Sequence, residues 1–167
     1  TLTANKGVIS LIEAWPKVLA AVPKAELHLY GKGGRAPHGE PMQPHLVARL
    51  PESVRASVFF HGHIPREQLG LVMARARVAV FPSYSETFGL APLEAMATGC
   101  PTIYTKLSCG SEMVRHGVDG ILVDPRQPAE IAAALVQVLA DDALAERLGA
   151  QGRQMVAKRF SLAKIAA

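Results

Sequence analysis

Stretches with apolar residues at helical spacing alternate with short, strand-like apolar segments along this chain. The first stretch begins at Lys6 and repeats apolar side chains every three or four residues, which predicts an amphipathic helix with an irregularity at Pro16. Its apolar positions are Val8, Leu11, Ile12, Trp15, Val18 and Leu19. The following segment, AELHLYG, alternates apolar and polar residues, so it predicts a short strand that leads into a loop rich in Gly and Pro as far as Pro44.

The same alternation of patterns continues to the C-terminal helix. The predicted strands are residues 58–61, 78–81, 101–104 and 120–123, and the predicted helices are residues 65–76, a helix that begins near Leu90, residues 128–140 and about residues 142–158. Strands separated by single helices of about 10 to 15 residues indicate parallel pairing with right-handed crossovers. The sequence therefore predicts an α/β fold with a doubly wound parallel sheet.

Ligands of such sheets bind beyond the carboxyl ends of the strands. This rule selects the loops that follow Tyr30, His61, Phe81 and Tyr104. No linker or internal repeat divides the 167 residues, so we expect one domain over residues 1–167.

Composition excludes several functional classes. Apolar residues make up 49% and charged residues 19%, which is typical of globular proteins. The positive charges exceed the negative ones by 18 − 14 = 4 and are scattered along the chain. Few aromatic residues are present to stack on bases, so we do not expect nucleic acid as a partner. A small anionic ligand fits this charge balance. The longest mostly apolar run, residues 131–140, is about half of a bilayer crossing, so no transmembrane segment is predicted.

Two cysteines, Cys100 and Cys109, cannot form a disulfide framework, which favours a reducing compartment and hence the cytoplasm. The chain starts at Thr1 without a basic and apolar leader, so we expect no signal peptide and a piece of a longer protein.

The segment SETFGLAPLEAMATGCP, residues 85–101, carries the strongest functional signal. Gly89 opens the predicted helix, and free backbone amides at a helix start attract anions such as phosphate, with no side chain at Gly89 to block the approach. Glu94 follows Leu90 by four residues and shares a helical face with Leu90 and Ala97, at the edge of the apolar side. A carboxylate there needs hydrogen-bond donors, and the hydroxyl groups of a ribose would supply them.

Less specific readings exist for the same residues. Glu94 could favour the helix dipole by ~0.3–1 kcal/mol, and Glu86 could be a solvated loop residue. His61 and His63 lack further clustered ligands for a metal. Gly31, Gly33 and Ala36 fit the spacing of a dinucleotide fingerprint, but the prolines that follow exclude the helix that this fingerprint requires.

The run PSYSETFGLAPLEAMATGCP resembles the signature of retaining GT-B glycosyltransferases of family four, whose E-x7-E motif matches Glu86 and Glu94. The resemblance extends along nearly the whole chain. Lys6-Gly7 matches the KG opening of the family, Gly31 its strand-end glycine, HGHIP its base-pocket segment, and GSEMVRHGVDGILV its E-v and G-ilv stretch. It implies that the chain is the Rossmann-like, donor-binding half of a GT-B fold.

The resemblance also implies roles for individual residues. Glu86 would be catalytic, meeting sugar hydroxyls near the reacting carbon, and Lys6 would contact the donor diphosphate. Residues 87–90, which are Thr87, Phe88, Gly89 and Leu90, would present backbone amides to the sugar and phosphate. Glu94 would bind the ribose, and His63 and Ile64 would border the base.

One position departs from the family pattern. The family usually has an arginine five residues before the lysine, where this chain has Thr1. Because threonine has one hydroxyl and no bidentate fork, a weaker grip on the diphosphate is expected.

The expected function is transfer of a sugar from a UDP-, ADP- or GDP-sugar, with retention, to a glycan, lipid or small-molecule acceptor. The acceptor would bind through an N-terminal domain absent from this sequence, so the fragment alone would not turn over, and the longer protein could also work at a membrane surface. No D-x-D triplet occurs, so a metal-bridged diphosphate is not expected. The sugar nucleotide would be a substrate, and no separate cofactor is expected. Two alternatives are a GT-B-like epimerase or phosphorylase and a non-catalytic nucleotide- or sugar-binding module.

Overall fold

The computed structural model describes residues 1–160 of the chain and shows five strands interleaved with helices. A 3-10 turn at Ala4–Lys6 precedes the first helix. The strands are β1 (Leu27–Tyr30), β2 (Val58–Gly62), β3 (Ala79–Phe81), β4 (Thr102–Thr105) and β5 (Ile121–Val123). The helices are α1 (Val8–Ala21), α2 (Met42–Arg49), α3 (Glu52–Arg55), α4 (Arg66–Arg75), α5 (Leu90–Ala97), α6 (Gly110–Met113), α7 (Pro128–Ala140) and α8 (Asp142–Arg159).

All strand pairs are parallel, which confirms the predicted α/β class. β1 pairs with β2, and β3, β4 and β5 form a second group in that order. The structure therefore differs from one continuous sheet, because β1 and β3 are not hydrogen-bonded to each other within residues 1–160.

Alternate residues of β3, β4 and β5 face two separate layers of core. One layer lies against α1 and α7 and receives Leu29, Ile103 and Val123 from three different strands. The opposite layer lies against α5 and α8 and receives Tyr104. Because successive side chains of a strand point to opposite faces, helices cover both faces of the group β3, β4 and β5, as in a doubly wound fold. The face of β1 and β2 that carries His28 and Phe59 is exposed.

The helix α2 was not predicted and begins inside the expected Gly- and Pro-rich loop. Pro44 lies in its first turn, where a missing amide hydrogen costs nothing, and the fully buried side chains of Met42 and Leu46 hold the helix to the core. The sequence analysis assigned this segment to a loop because it treated the prolines as loop residues and did not consider Pro44 in the first turn of a helix. The short helices α3 and α6 were also missed, since four residues show no periodicity.

Both cysteines are free thiols. Burial raises the pKa of the Cys100 thiol to about 11, so this side chain packs as a small apolar group. None of the helices in the described part of the chain is long and apolar enough to cross a bilayer.

Candidate functional site

The candidate site lies beyond the carboxyl end of β3, where three segments meet. These segments are the 3-10 turn at residues 4–6, the loop at residues 82–89 and the start of α5. The backbone N–H of Tyr84 donates to the carbonyl oxygen of Asn5 over 2.8 Å, and Nδ2 of Asn5 donates to the carbonyl oxygen of Ser85 over 3.2 Å. Residues about 80 positions apart are thereby held edge to edge.

Lys6 and Glu86 form an ion pair at this junction. Lys6 Nζ donates to Glu86 Oε1 over 2.6 Å, and Oγ of Ser83 donates to the same oxygen over 2.8 Å. The Glu86 side chain is 14% exposed and that of Lys6 is 45% exposed. Within residues 1–160, Glu86 Oε2 makes no hydrogen bond, so one carboxylate oxygen is available for another donor.

Gly89 begins α5 in a left-handed conformation, with φ of 67° and no side-chain cap on the helix. A Cβ atom at Gly89 would lie 2.2 Å from the hydroxyl oxygen of Tyr104, so only glycine fits above this ring. The third helical residue is Pro92, which has no amide hydrogen, so the uncapped donors of the first turn are the amides of Leu90 and Ala91. They provide partial positive charge at the helix start.

The side chain of Tyr104 is fully buried and supports Gly89 from below. Burial raises the pKa of its hydroxyl, and the Sγ atom of Cys109, 3.3 Å away, raises it further. Tyr104 is therefore a neutral phenol at any physiological pH and acts here through its shape.

A cavity of about 350 Å³ opens between these groups. It is lined by Lys6, Glu86, Thr87, Phe88, Gly89, Leu90, Ala91 and Pro92. Six of the nine predicted site residues thus line one cavity. Phe88 is 51% exposed and Leu90 is 62% exposed, and apolar side chains left open beside charged groups are typical of a binding surface.

Glu94 lies outside this cavity, one turn further along α5. It shares its helical face with Leu90 and Ala97, as the spacing predicts, but both of these residues are exposed. The face is therefore open to solvent, and the prediction that Glu94 sits at the edge of the apolar side was wrong. The error arose because Leu90 was counted as a core residue, whereas the core side of α5 is formed by Leu93 and Met96.

Glu94 is instead held by Arg66, the first residue of α4, through an ion pair to its Oε1 atom. A second cavity of about 190 Å³ lies between α4 and α5. It is lined by Arg66, Leu69, Gly70, Met73, Glu94 and Ala97. The two predicted carboxylates therefore border two adjacent cavities on the same helix and its preceding loop.

His63 and Ile64 lie in the loop between β2 and α4, just before Arg66. His63 is exposed, Ile64 is partly buried, and neither lines the two cavities. Their contact with a base stays a prediction. His61 stacks on Tyr30 instead, with ring centroids 4.5 Å apart, and residues 1–160 contain no group of three or more His, Cys, Asp or Glu side chains arranged to hold a metal ion.

Three residues that shape the candidate site escaped the sequence analysis. Ser83 is buried and orients Glu86, Arg66 pairs with Glu94, and Tyr104 supports Gly89. The position of Ser83, three residues before Glu86 in the same loop, was an available signal. The contacts of Arg66 and Tyr104 join different elements and leave no trace in local sequence.

The profile of the family described as Glycosyl transferases group 1 matches residues 1–141. A curated relative, the glycogen synthase of Mycobacterium tuberculosis, is 34% identical over 99% of this chain and 38% of its own length. The chain thus spans about two fifths of the length of such curated relatives.

Two solved structures are similar to the chain. The C-terminal domain of the group 1 glycosyl transferase LpcC from Francisella tularensis is 25% identical, with a TM-score of 0.85 over 96% of this chain and 83% of that one. Anabaena HepE in complex with UDP is 26% identical, with a TM-score of 0.81 over 97% of this chain and 43% of that one.

The close approach of Gly89 to Tyr104 gives a first prediction. Gly89→Ala should lower the free energy of unfolding by about 1–3 kcal/mol, because the new methyl group meets the phenol hydroxyl. Combining it with Tyr104→Phe should recover part of this loss, and urea unfolding of both single variants and the double variant measures the coupling. Strictly additive losses would show that the two side chains do not compete for this space.

Proposed function

The chain belongs to the group 1 glycosyl transferase family, and we propose on this basis that it is the donor-binding domain of an enzyme that transfers a sugar from a nucleoside diphosphate. Its Rossmann-like fold corresponds to one half of a GT-B enzyme. HepE, a structural relative, binds UDP. We extend this ligand class to UDP-, ADP- or GDP-sugars for the present chain.

The observation that carries the proposal is the convergence of an ammonium group, uncapped helix amides and a carboxylate on one cavity. Lys6 and the first turn of α5 supply positive charge without any further ion. A diphosphate is the chemical group that such a pair of donors suits best. Glu86 lies within the same cavity, where hydroxyl groups of the attached sugar would reach its free oxygen.

The ion pair between Lys6 and Glu86 is well placed to open when the donor binds. Lys6 is 45% exposed and open to a phosphate, whereas Glu86 is 14% exposed and needs other donors when the lysine leaves it. Ser83 remains hydrogen-bonded to the carboxylate, and the sugar hydroxyls would supply the further donors. Lys6 would then face the leaving diphosphate, and its charge would stabilise the negative charge that develops as the sugar leaves. We propose that the transfer proceeds with retention and without a metal ion at this site.

The ribose is assigned to Glu94. This residue lies four residues, about 6 Å along the helix axis, beyond Leu90, so a nucleotide whose phosphates sit at the helix start can extend along α5 to reach it. Arg66 occupies Glu94 Oε1 in the structure, and its own side chain is 78% exposed. Ribose hydroxyls would compete with an exposed ion pair of low net stability.

The rest of the enzyme is proposed to supply the acceptor. The chain covers about two fifths of its curated relatives, so the acceptor site and the complete activity belong to the longer protein. Glycan, lipid and small-molecule acceptors are compatible with this division. The proposed location is the cytoplasm, with the membrane surface as a further place of work for the longer protein.

Titration of the chain with UDP, ADP and GDP tests the proposal. A few charge-assisted hydrogen bonds at ~1.5–3 kcal/mol each must offset association costs of ~4–15 kcal/mol, so we expect dissociation constants in the high-micromolar to millimolar range. NMR shifts should concentrate at Gly89, Leu90 and Glu94. An unchanged spectrum at millimolar concentrations of all three nucleotides would contradict a donor site.

The ribose assignment predicts a selective loss. Glu94→Ala should weaken binding of a ribonucleoside diphosphate but leave its 2′,3′-dideoxy analogue unaffected, since the analogue lacks the hydroxyls that the carboxylate accepts. Glu67→Ala is the matched control, because this glutamate lies in the first turn of α4 and is exposed. Equal weakening of both ligands would reject the contact with ribose.

Glu86→Gln in the longer protein tests the catalytic role. The substitution keeps the shape of the side chain and removes its charge, so we expect transfer to fall by about 100-fold or more. Glu146→Gln on the exposed side of α8 should retain full activity. Transfer is measured with the sugar nucleotide whose nucleoside diphosphate binds best. Undiminished transfer by Glu86→Gln would instead favour a non-catalytic role for this site.

A further inference from the structure

Ser108 lies in the loop after β4 and has an unusual backbone conformation. Its φ is 53°, and it is the one residue other than glycine with a positive φ among residues 1–160. The left-handed region is unfavourable for a residue with a Cβ atom, whereas glycine enters it freely. Strained residues of this kind cluster at active sites and ligand-binding sites, so Ser108 is a candidate for a role beyond the fold.

Hydrogen bonds hold this loop in place on both sides of Ser108. Before it, the Leu107 amide donates to Oγ of Thr105 over 3.1 Å. After it, Oγ of Ser111 donates to the carbonyl oxygen of Lys106 over 3.0 Å. A shift of the loop that relaxed Ser108 would break these bonds, so the surrounding structure maintains the strained conformation.

The loop brings the Ser108 side chain next to Glu86. The Glu86 amide donates to Oγ of Ser108 over 3.4 Å, and Ser108 is exposed. Because Glu86 lines the first cavity, the hydroxyl lies at the margin of that cavity. The next residue, Cys109, contacts the hydroxyl of Tyr104, which lies under Gly89. The loop after β4 therefore borders the same site as the loop after β3.

Ser108 and Glu86 together offer both kinds of hydrogen-bonding group. A hydroxyl has one donor hydrogen as well as acceptor lone pairs. Oγ of Ser108 accepts from the Glu86 amide, and its own hydrogen has no acceptor within residues 1–160. Oε2 of Glu86 is an acceptor without a donor in the same part of the chain. Neighbouring hydroxyls of one sugar ring can satisfy both, since each hydroxyl donates and accepts.

We propose that the Ser108 hydroxyl donates a hydrogen bond to a hydroxyl oxygen of the transferred sugar, while Glu86 accepts from the adjacent hydroxyl. The inference rests on the proposed function, because it assigns the sugar half of the same donor. The ligand is a pyranose attached to a nucleoside diphosphate, with two adjacent hydroxyls directed to the carboxyl ends of β3 and β4. Ser108 is thus a residue that determines specificity for the sugar nucleotide over the free nucleotide.

The strain at position 108 agrees with this role. Glycine would adopt the same φ without strain, so the fold does not require a side chain there. The serine therefore adds a hydroxyl beside Glu86 at the expense of stability. Such an exchange of stability for a functional group is common at binding and catalytic sites.

Two variants separate the hydroxyl from the strain. Ser108→Ala removes the hydroxyl and keeps a Cβ atom, whereas Ser108→Gly removes both. The glycine variant should therefore unfold at a higher urea concentration than the alanine variant. Ser53→Ala is the matched control, because Ser53 is an exposed serine of α3 and lines neither cavity.

NMR titration of this chain measures the contact with the sugar. The probes are UDP, ADP and GDP, followed by the glucose, galactose, mannose and N-acetylglucosamine derivatives of the nucleotide that binds best. We expect amide shifts at residues 107–109 with at least one sugar derivative and none with the free nucleotide. Both Ser108 variants should bind that derivative about three- to tenfold more weakly, as the loss of one neutral hydrogen bond predicts, and the free nucleotide with unchanged affinity.

Several results would overturn the contact and leave the donor site intact. They are nucleotide binding without a sugar-dependent shift at residues 107–109, undiminished binding of the sugar derivative by both variants, and equal weakening of nucleotide and sugar derivative. A loss in only one of the two variants would trace to the backbone and not to the hydroxyl, and this also overturns the contact. Failure of all three nucleotides to bind would contradict the proposed function, and the sugar contact with it.

Discussion

The geometry of the candidate site depends on the contact between residues 4–6 and the loop after β3. The Tyr84 amide donates to the carbonyl oxygen of Asn5, and Nδ2 of Asn5 donates to the carbonyl oxygen of Ser85, so two hydrogen bonds join segments about 80 residues apart. Parallel strands make this possible, because all their carboxyl ends meet at one edge of the sheet. This contact brings Lys6 and Glu86 to the same cavity.

The cavity contains one paired carboxylate and one uncapped helix start. The Glu86 carboxylate has two donors on one oxygen, so its position is fixed while its second oxygen stays available. The first turn of α5 has donors without a side-chain cap. Tyr104 keeps Gly89 in place as a neutral, buried ring and adds no charge to the site.

The two cavities lie along one short helix, α5. Partial positive charge lies at the start of α5, and the Glu94 carboxylate lies one turn later, beside α4. Both carboxylates are paired with cations whose side chains are exposed to solvent.

The sequence by itself determined the α/β class, the five strands, most of the helices and the cluster of residues 86–90, because each rests on periodicity or spacing within a few adjacent residues. It did not determine α2, where buried Met42 and Leu46 outweigh the prolines, or the solvent exposure of Leu90, which misplaced the environment of Glu94. Only the tertiary structure decided that Lys6 and Ser83 bind Glu86 and that Arg66 binds Glu94. It also decided that β1 and β3 are not paired with each other. These are contacts between distant segments, and a local pattern carries no information on which strand edge or side chain a distant segment will meet.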